Sequence, residues 1–157
     1  MANREEIFVR LGLRRAVFPG LVKSRRRIWV APELMDHLSS ESKLDWDQDE
    51  WESPNAQVKY ILQHYAEGYF RLQAGWDHKK LRAIPVPVYE LRTRDVRVFG
   101  FLLQRGEFCA VLAKPKKELR NRSDYDEPIN SVVSFVTALG VPPPKFSKEP
   151  IDAIFQS

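Results

Sequence analysis

Apolar and polar positions alternate in two different rhythms along this chain. "RIWVA" (27–31) reads as a first strand. "PELMDHLSSESKL" starts with a proline suited to a first helical turn and sets Leu34, Met35 and Leu38 on one side, which predicts a short helix. Ser53 and Pro54 form an N-cap and first-turn pair. After them Val58, Ile61, Leu62, Tyr65, Tyr69 and Leu72 recur at helical spacing, up to a stop at Gly75. The middle third is β-prone: "VPVYELR", "VRVFGFLL" and "FCAVLAK" are separated by "TRDV" and "QRGE", which predicts a meander. Asp126 and Pro128 then open a last helix with apolar positions Ile129, Val132, Val133, Val136 and Leu139, ended by Gly140. The expected fold class is α+β, a twisted antiparallel meander packed against two or three helices. Its expected domain is 27–140, between a basic N-terminal arm (1–26) and a Pro-rich extended tail (141–157). Within the arm, "EEIFVRLGLRRAVF" reads as a short strand or a helical turn.

The meander can be registered from its turns. If Thr93–Val96 and Gln104–Glu107 are the two connections, Arg92 lies opposite Arg97, Glu90 opposite Phe99, and Leu103 opposite Phe108. Counting back sets Phe99 opposite Leu112 and Arg97 opposite Lys114. Directly paired residues share a face, so Arg92, Arg97 and Lys114 form one row across three strands. Tyr89, Leu91, Val98, Gly100, Leu102, Cys109, Val111 and Ala113 fall on the opposite, dry face. That face is expected to pack on the helices, while the row stands on the side the core does not use. Like charges directly opposite one another destabilise a sheet, so the row requires a counter-charge such as Glu90, or a bound anion. Arg94, in the turn, reads as a solvated charge.

Charge distribution sharpens this picture. Residues 10–27 hold seven basic side chains and no acid, 41–52 hold six acids and one lysine, and 79–122 hold twelve basic side chains against four acids. A basic surface interrupted by one acidic segment is what a protein that meets a polyanion presents. The acidic loop "DWDQDEWE" (45–52) reads as solvated, or as a segment that competes with RNA for the basic row. The single cysteine, Cys109, cannot form an internal disulfide and is expected in the core of a cytoplasmic protein. No stretch approaches membrane-spanning length, so no membrane partner is expected. His37, His64 and His78 have no ligand spacing, so no metal is expected, and no glycine pattern or nucleophile elbow calls for a cofactor.

The pieces "HKKLRAIPVPVYELR" (78–92), "VRVFGFLLQRGEF" (96–108) and "AKPKKE" (113–118), with "INSVVSFVTAL" (129–139) in the place of a closing helix, resemble in order and spacing the RelE/HigB-like family of toxins from toxin–antitoxin pairs. The resemblance covers residues 27–140. It implies a small fold with a twisted antiparallel sheet against helices, and cleavage of mRNA, commonly on the ribosome, by metal-independent attack of the 2′-hydroxyl on the adjacent phosphate. Arg92 and Arg97 match the two family arginines, and Lys79 and Lys80 the lysines before the second strand. Lys114, Lys116 and Lys117 match the basic end of the third, and Arg82 lies in the same basic stretch. No histidine follows His78, so Tyr125 in "SDYDEP" is the nearest substitute for a late catalytic group. The implied partners are RNA or the ribosome and a small antitoxin. Two alternatives accompany this expectation: a non-catalytic nucleic-acid-binding or regulatory protein on the same fold, and a protein-interaction domain with a basic docking face.

Overall fold

A computed structural model describes residues 4–16, 27–39, 53–67, 78–82, 87–104 and 106–140. The acidic loop, the stop at Gly75 and the tail lie outside these residues. Among these residues four helices, α1 (Arg4–Arg10), α2 (Pro32–Ser39), α3 (Pro54–Glu67) and α4 (Asp126–Leu139), accompany six strands. These are β1 (Arg14–Arg15), β2 (Arg27–Val30), β3 (His78–Arg82), β4 (Val88–Arg92), β5 (Val96–Gln104) and β6 (Glu107–Pro115). They form one sheet in the order β1-β2-β6-β5-β4-β3.

The fold is α+β, but its sheet is mixed rather than a purely antiparallel meander. The antiparallel run β3-β4-β5-β6 is present, with β3 as an added edge strand, and β2 joins the other side of β6 in parallel, Arg27 opposite Glu107. Parallel neighbours require a long crossover, and α2, α3 and the first strands of the antiparallel run lie between these two in sequence.

Helix ends follow the local chemistry. The Ser53 hydroxyl accepts from the Ala56 backbone N–H at 3.2 Å, the cap its position predicts. Gly140 ends α4 at φ 66°, a left-handed conformation that glycine adopts without a Cβ clash.

Both faces of the sheet are covered. On one, Val58, Ile61, Leu62 and Tyr65 of α3 and Leu34 of α2 pack on Ile28, Tyr89, Leu91, Val98 and Phe108. On the other, Ile129, Val132, Val136 and Leu139 of α4 pack on Phe99, Phe101, Val111 and Leu112. Phe8 of α1 and Leu13 join this second layer, so part of the segment expected as an arm is built into the core. The Phe8 ring meets Trp29 edge-on at 5.3 Å. The side expected to lie open to water is therefore a second core, which a sheet buried on both faces requires.

The register is confirmed at the row and corrected beyond it. Arg92 pairs with Arg97, Glu90 with Phe99, Arg97 with Lys114 and Phe99 with Leu112, as the turns predict. A bulge follows: Gly100 pairs with Ala110, and the shift moves Cys109 and Val111 onto the α4 side with Phe101. Cys109 is buried, as expected, but on the opposite face. Gly100 makes the bulge possible, since a Cβ there would sit 2.0 Å from the Cys109 carbonyl oxygen. The second turn is tighter than a four-residue loop. Gln104 pairs directly with Glu107, so Leu102 rather than Leu103 faces Phe108.

Candidate functional site

The basic row lies where β4, β5 and β6 end together, next to the first turn of α4. Its cations are not equivalent. Arg97 is buried at 8% exposure, whereas the side chains of Arg92 and Lys114 keep 25% and 35%. Glu90, two residues from Arg92 on the same strand, is fully buried and accepts from the Arg92 Nε at 2.8 Å. The counter-charge that the row requires is thus supplied from within the sheet.

Arg97 turns back on its own hairpin. Its Nη1 donates to the carbonyl oxygens of Thr93 at 2.5 Å and Val96 at 3.1 Å. Burial pulls the Arg97 guanidinium down from its ordinary value, the Glu90 carboxylate raises it, neighbouring Arg92 lowers it, and Tyr125 raises it through charge and a side-chain hydrogen bond. Guanidinium is basic enough to remain charged under these opposing effects.

Tyr125 reaches the row from the other layer. It ends a turn of 3-10 helix, Arg122–Tyr125, that leads into α4. That turn is fixed by Asp124, whose carboxylate accepts from the backbone N–H groups of Arg120 and Asn121 at 3.0 and 2.8 Å. The ring of Tyr125 then meets Phe99 edge-on at 5.9 Å, the geometry aromatic pairs favour. In the first turn of α4, Glu127 brings a carboxylate to 3.9 Å from the Lys114 Nζ. The four residues expected to act together, Arg92, Arg97, Lys114 and Tyr125, thus gather from three strands and the entrance of α4.

The remaining expected residues divide. Lys116 and Lys117 lie in a 3-10 turn directly after β6, Lys116 exposed and Lys117 half-buried, and the Lys116 backbone N–H donates to the Asp95 carbonyl at 2.7 Å. This bond ties the basic end of β6 to the β4–β5 turn. Lys79, Lys80 and Arg82 precede β4, as expected, but form a strand of their own, β3, whose backbone pairs with Glu90, Tyr89 and Val88. Lys79 therefore stands at the register position of Glu90. Arg94 is exposed in the turn, as expected.

A polar group from α3, not foreseen in the sequence, pins that turn. The Gln57 amide donates to the Asp95 carboxylate at 2.9 Å, and its carbonyl accepts from the Thr93 hydroxyl at 2.7 Å and the Asp95 backbone N–H at 3.1 Å. Gln57 sits one position before Val58 on the buried face of a helix, and a buried glutamine is a signal for such a network. A second buried acid, Glu107, accepts from the Trp29 indole at 2.6 Å and from the Gln104 amide, fastening β2 to the β5–β6 turn away from the row.

Among the described residues no three His, Cys, Asp or Glu side chains gather as metal ligands would, and no helix is long and apolar enough to cross a membrane. Comparison of the chain with protein-family models, with curated proteins and with solved structures finds no match.

Proposed function

We propose that the chain is a toxin-like RNA endonuclease that cuts by metal-independent attack of the 2′-hydroxyl on the adjacent phosphate. The observation that carries this reading is the convergence of Tyr125 with the Arg92–Arg97–Lys114 row, which unites three cations set in one row by the strand register with the tyrosine that the family resemblance implies. Arg92 and Lys114 keep accessible surface, so they are the cations that meet the phosphate, where a fixed guanidinium fork suits two phosphate oxygens. Arg97 holds the hairpin and adds its charge from below. The 2′-oxygen bonds to phosphorus as the bond to the 5′-oxygen breaks, leaving a 2′,3′-cyclic phosphate and a 5′-hydroxyl. The proton passes from the 2′-hydroxyl to the departing 5′-oxygen with the Tyr125 hydroxyl as relay, and preorganised cations stabilise the charge that develops on phosphate. The ribosome as a platform and a small antitoxin that covers the row are the partners this reading brings with it, in the cytoplasm.

A second reading has its own support. Arg92 is neutralised by Glu90 and Lys114 is approached by Glu127, an arrangement that also serves a non-catalytic protein holding RNA. Incubation of purified protein with RNA, alone and with ribosomes, separates the two. New ends bearing cyclic phosphate, lost in Arg92→Ala and Tyr125→Phe, support the nuclease. Salt-sensitive RNA binding with intact RNA supports the second reading. If no RNA is bound or cut, both fall.

A further inference from the structure

Beside the row runs an open groove of about 800 Å³, between α4, the start of α2 and the sheet, that the chemistry above does not use. Glu33, Glu127, Asn130, Ser131 and Ser134 line it, and Val111 and Phe135 form its apolar part. Its position relative to the row is fixed by the fold. Val111 and Lys114 are three residues apart on β6, about 10 Å along a strand, and Glu127 both lines the groove and lies 3.9 Å from Lys114. The volume is within the range of small-ligand sites, and the distance is that of one or two nucleotides.

The lining selects the ligand. Two carboxylates make the groove unfavourable for phosphate, so the anion belongs on the cations and the groove takes a neutral part of the same molecule. Carboxylates are acceptors only, whereas the serine hydroxyls and the Asn130 amide both donate and accept, so the amide can meet the guanine carbonyl beside its N–H donors. Phe135 is half-buried, with its ring 6.2 Å from that of Phe101, and offers a partly exposed aromatic surface to a flat ring. We propose that this groove is a nucleobase site that favours guanine next to the phosphate held by the row, a proposal that rests on the RNA reading above. Guanine presents two adjacent N–H donors on its pairing edge, which a carboxylate can accept together. Uracil presents one donor between two acceptors, and its carbonyls face carboxylate oxygens unfavourably.

The test uses the full chain labelled with ¹⁵N and titrated with GMP, UMP or inorganic phosphate. GMP is expected to move the amide signals of Ser131, Ser134 and Val111 and to bind about fivefold more tightly than UMP, the low end for one bidentate pair. Phosphate alone is expected to move only signals around Arg92, Arg97 and Lys114. Ser134→Tyr, at an exposed position that costs no core contact, is expected to abolish the groove shifts while the phosphate shifts persist. Identical shifts from GMP and phosphate overturn the proposal, as do GMP shifts that survive Ser134→Tyr. Groove signals that respond to a leucine-rich amphipathic peptide and not to GMP overturn it in favour of a protein ligand. Cleavage of RNA without any GMP response in the groove overturns this proposal and leaves the nuclease standing. A guanine-selective response in a protein that cuts no RNA upholds the groove and removes the nuclease.

Discussion

Replacing Glu90 by glutamine removes one charge from a side chain that has no solvent exposure, and leaves Arg92 and Arg97 opposite one another without their counter-charge. Breaking a buried ion pair from one side costs about 3–5 kcal/mol. Arg92 keeps 25% of its side-chain surface and can turn toward water, which sets the expectation at the low end, about 3 kcal/mol. With a urea m-value of about 2 kcal/mol/M, the unfolding midpoint should fall by roughly 1.5 M. A double-mutant cycle with Arg92→Gln isolates the pair, and the coupling should exceed about 1 kcal/mol because the two groups are in direct contact. A midpoint unchanged within error, or additive effects of the two substitutions, would refute the reasoning and leave the row as ordinary surface charge.

Other consequences are as definite. Burial pushes the Tyr89 hydroxyl up to about 12 from an ordinary 10.0, so the folded protein keeps a proton that the unfolded chain releases. That stability contribution is complete below pH 10 and is lost as the pH rises toward 12, and Tyr89→Phe should flatten this alkaline slope in unfolding curves. Cys109 is fully buried, with its thiol pushed well above the usual range by burial and then by Glu107, so a thiol reagent should modify it only after unfolding. Gln57→Ala should cost about 1–3 kcal/mol by leaving Thr93 and Asp95 without their partner. It should also lower RNA cleavage, although Gln57 is remote from the phosphate, because the turn between Arg92 and Arg97 loosens. Gly100→Ala should cost about 3 kcal/mol or more, since the added methyl meets a backbone carbonyl that cannot move away cheaply.

Much of the site was readable because it depends on turns and alternation. The "TRDV" turn fixed Arg92 against Arg97 and Lys114, and the structure shows those pairs. The same alternation failed farther along β5, where "VFGFLL" is continuously apolar. A run of that kind marks a strand buried on both faces, and it contains the glycine at which the ladder slips. Two positions of polar alternation at the row end of the sheet suggested an open face. In the structure α4 covers that side, and only its entrance leaves the cations accessible. The parallel contact of β2 with β6 had no local signature, since pairing across 80 residues leaves none in sequence. The Gln57 network was hidden for a similar reason: a glutamine on a helix gains meaning only when the turn it holds is known. The place of Tyr125 beside Arg97 was legible only as chemistry, and its delivery depends on the Asp124-capped turn.

The pairing of Arg27 with Glu107 has a kinetic consequence. The antiparallel run β3-β4-β5-β6 is made of neighbours in sequence and can zip locally, hairpin by hairpin. β2 is synthesised long before its partner and must wait for β6, so its docking closes the longest loop in the sheet and is expected late in folding. Until then β6 is an exposed edge, open to any extended strand that arrives first. During that interval a nascent chain could be captured by another protein, and a partner that supplied one strand to β6 would hold the molecule incomplete.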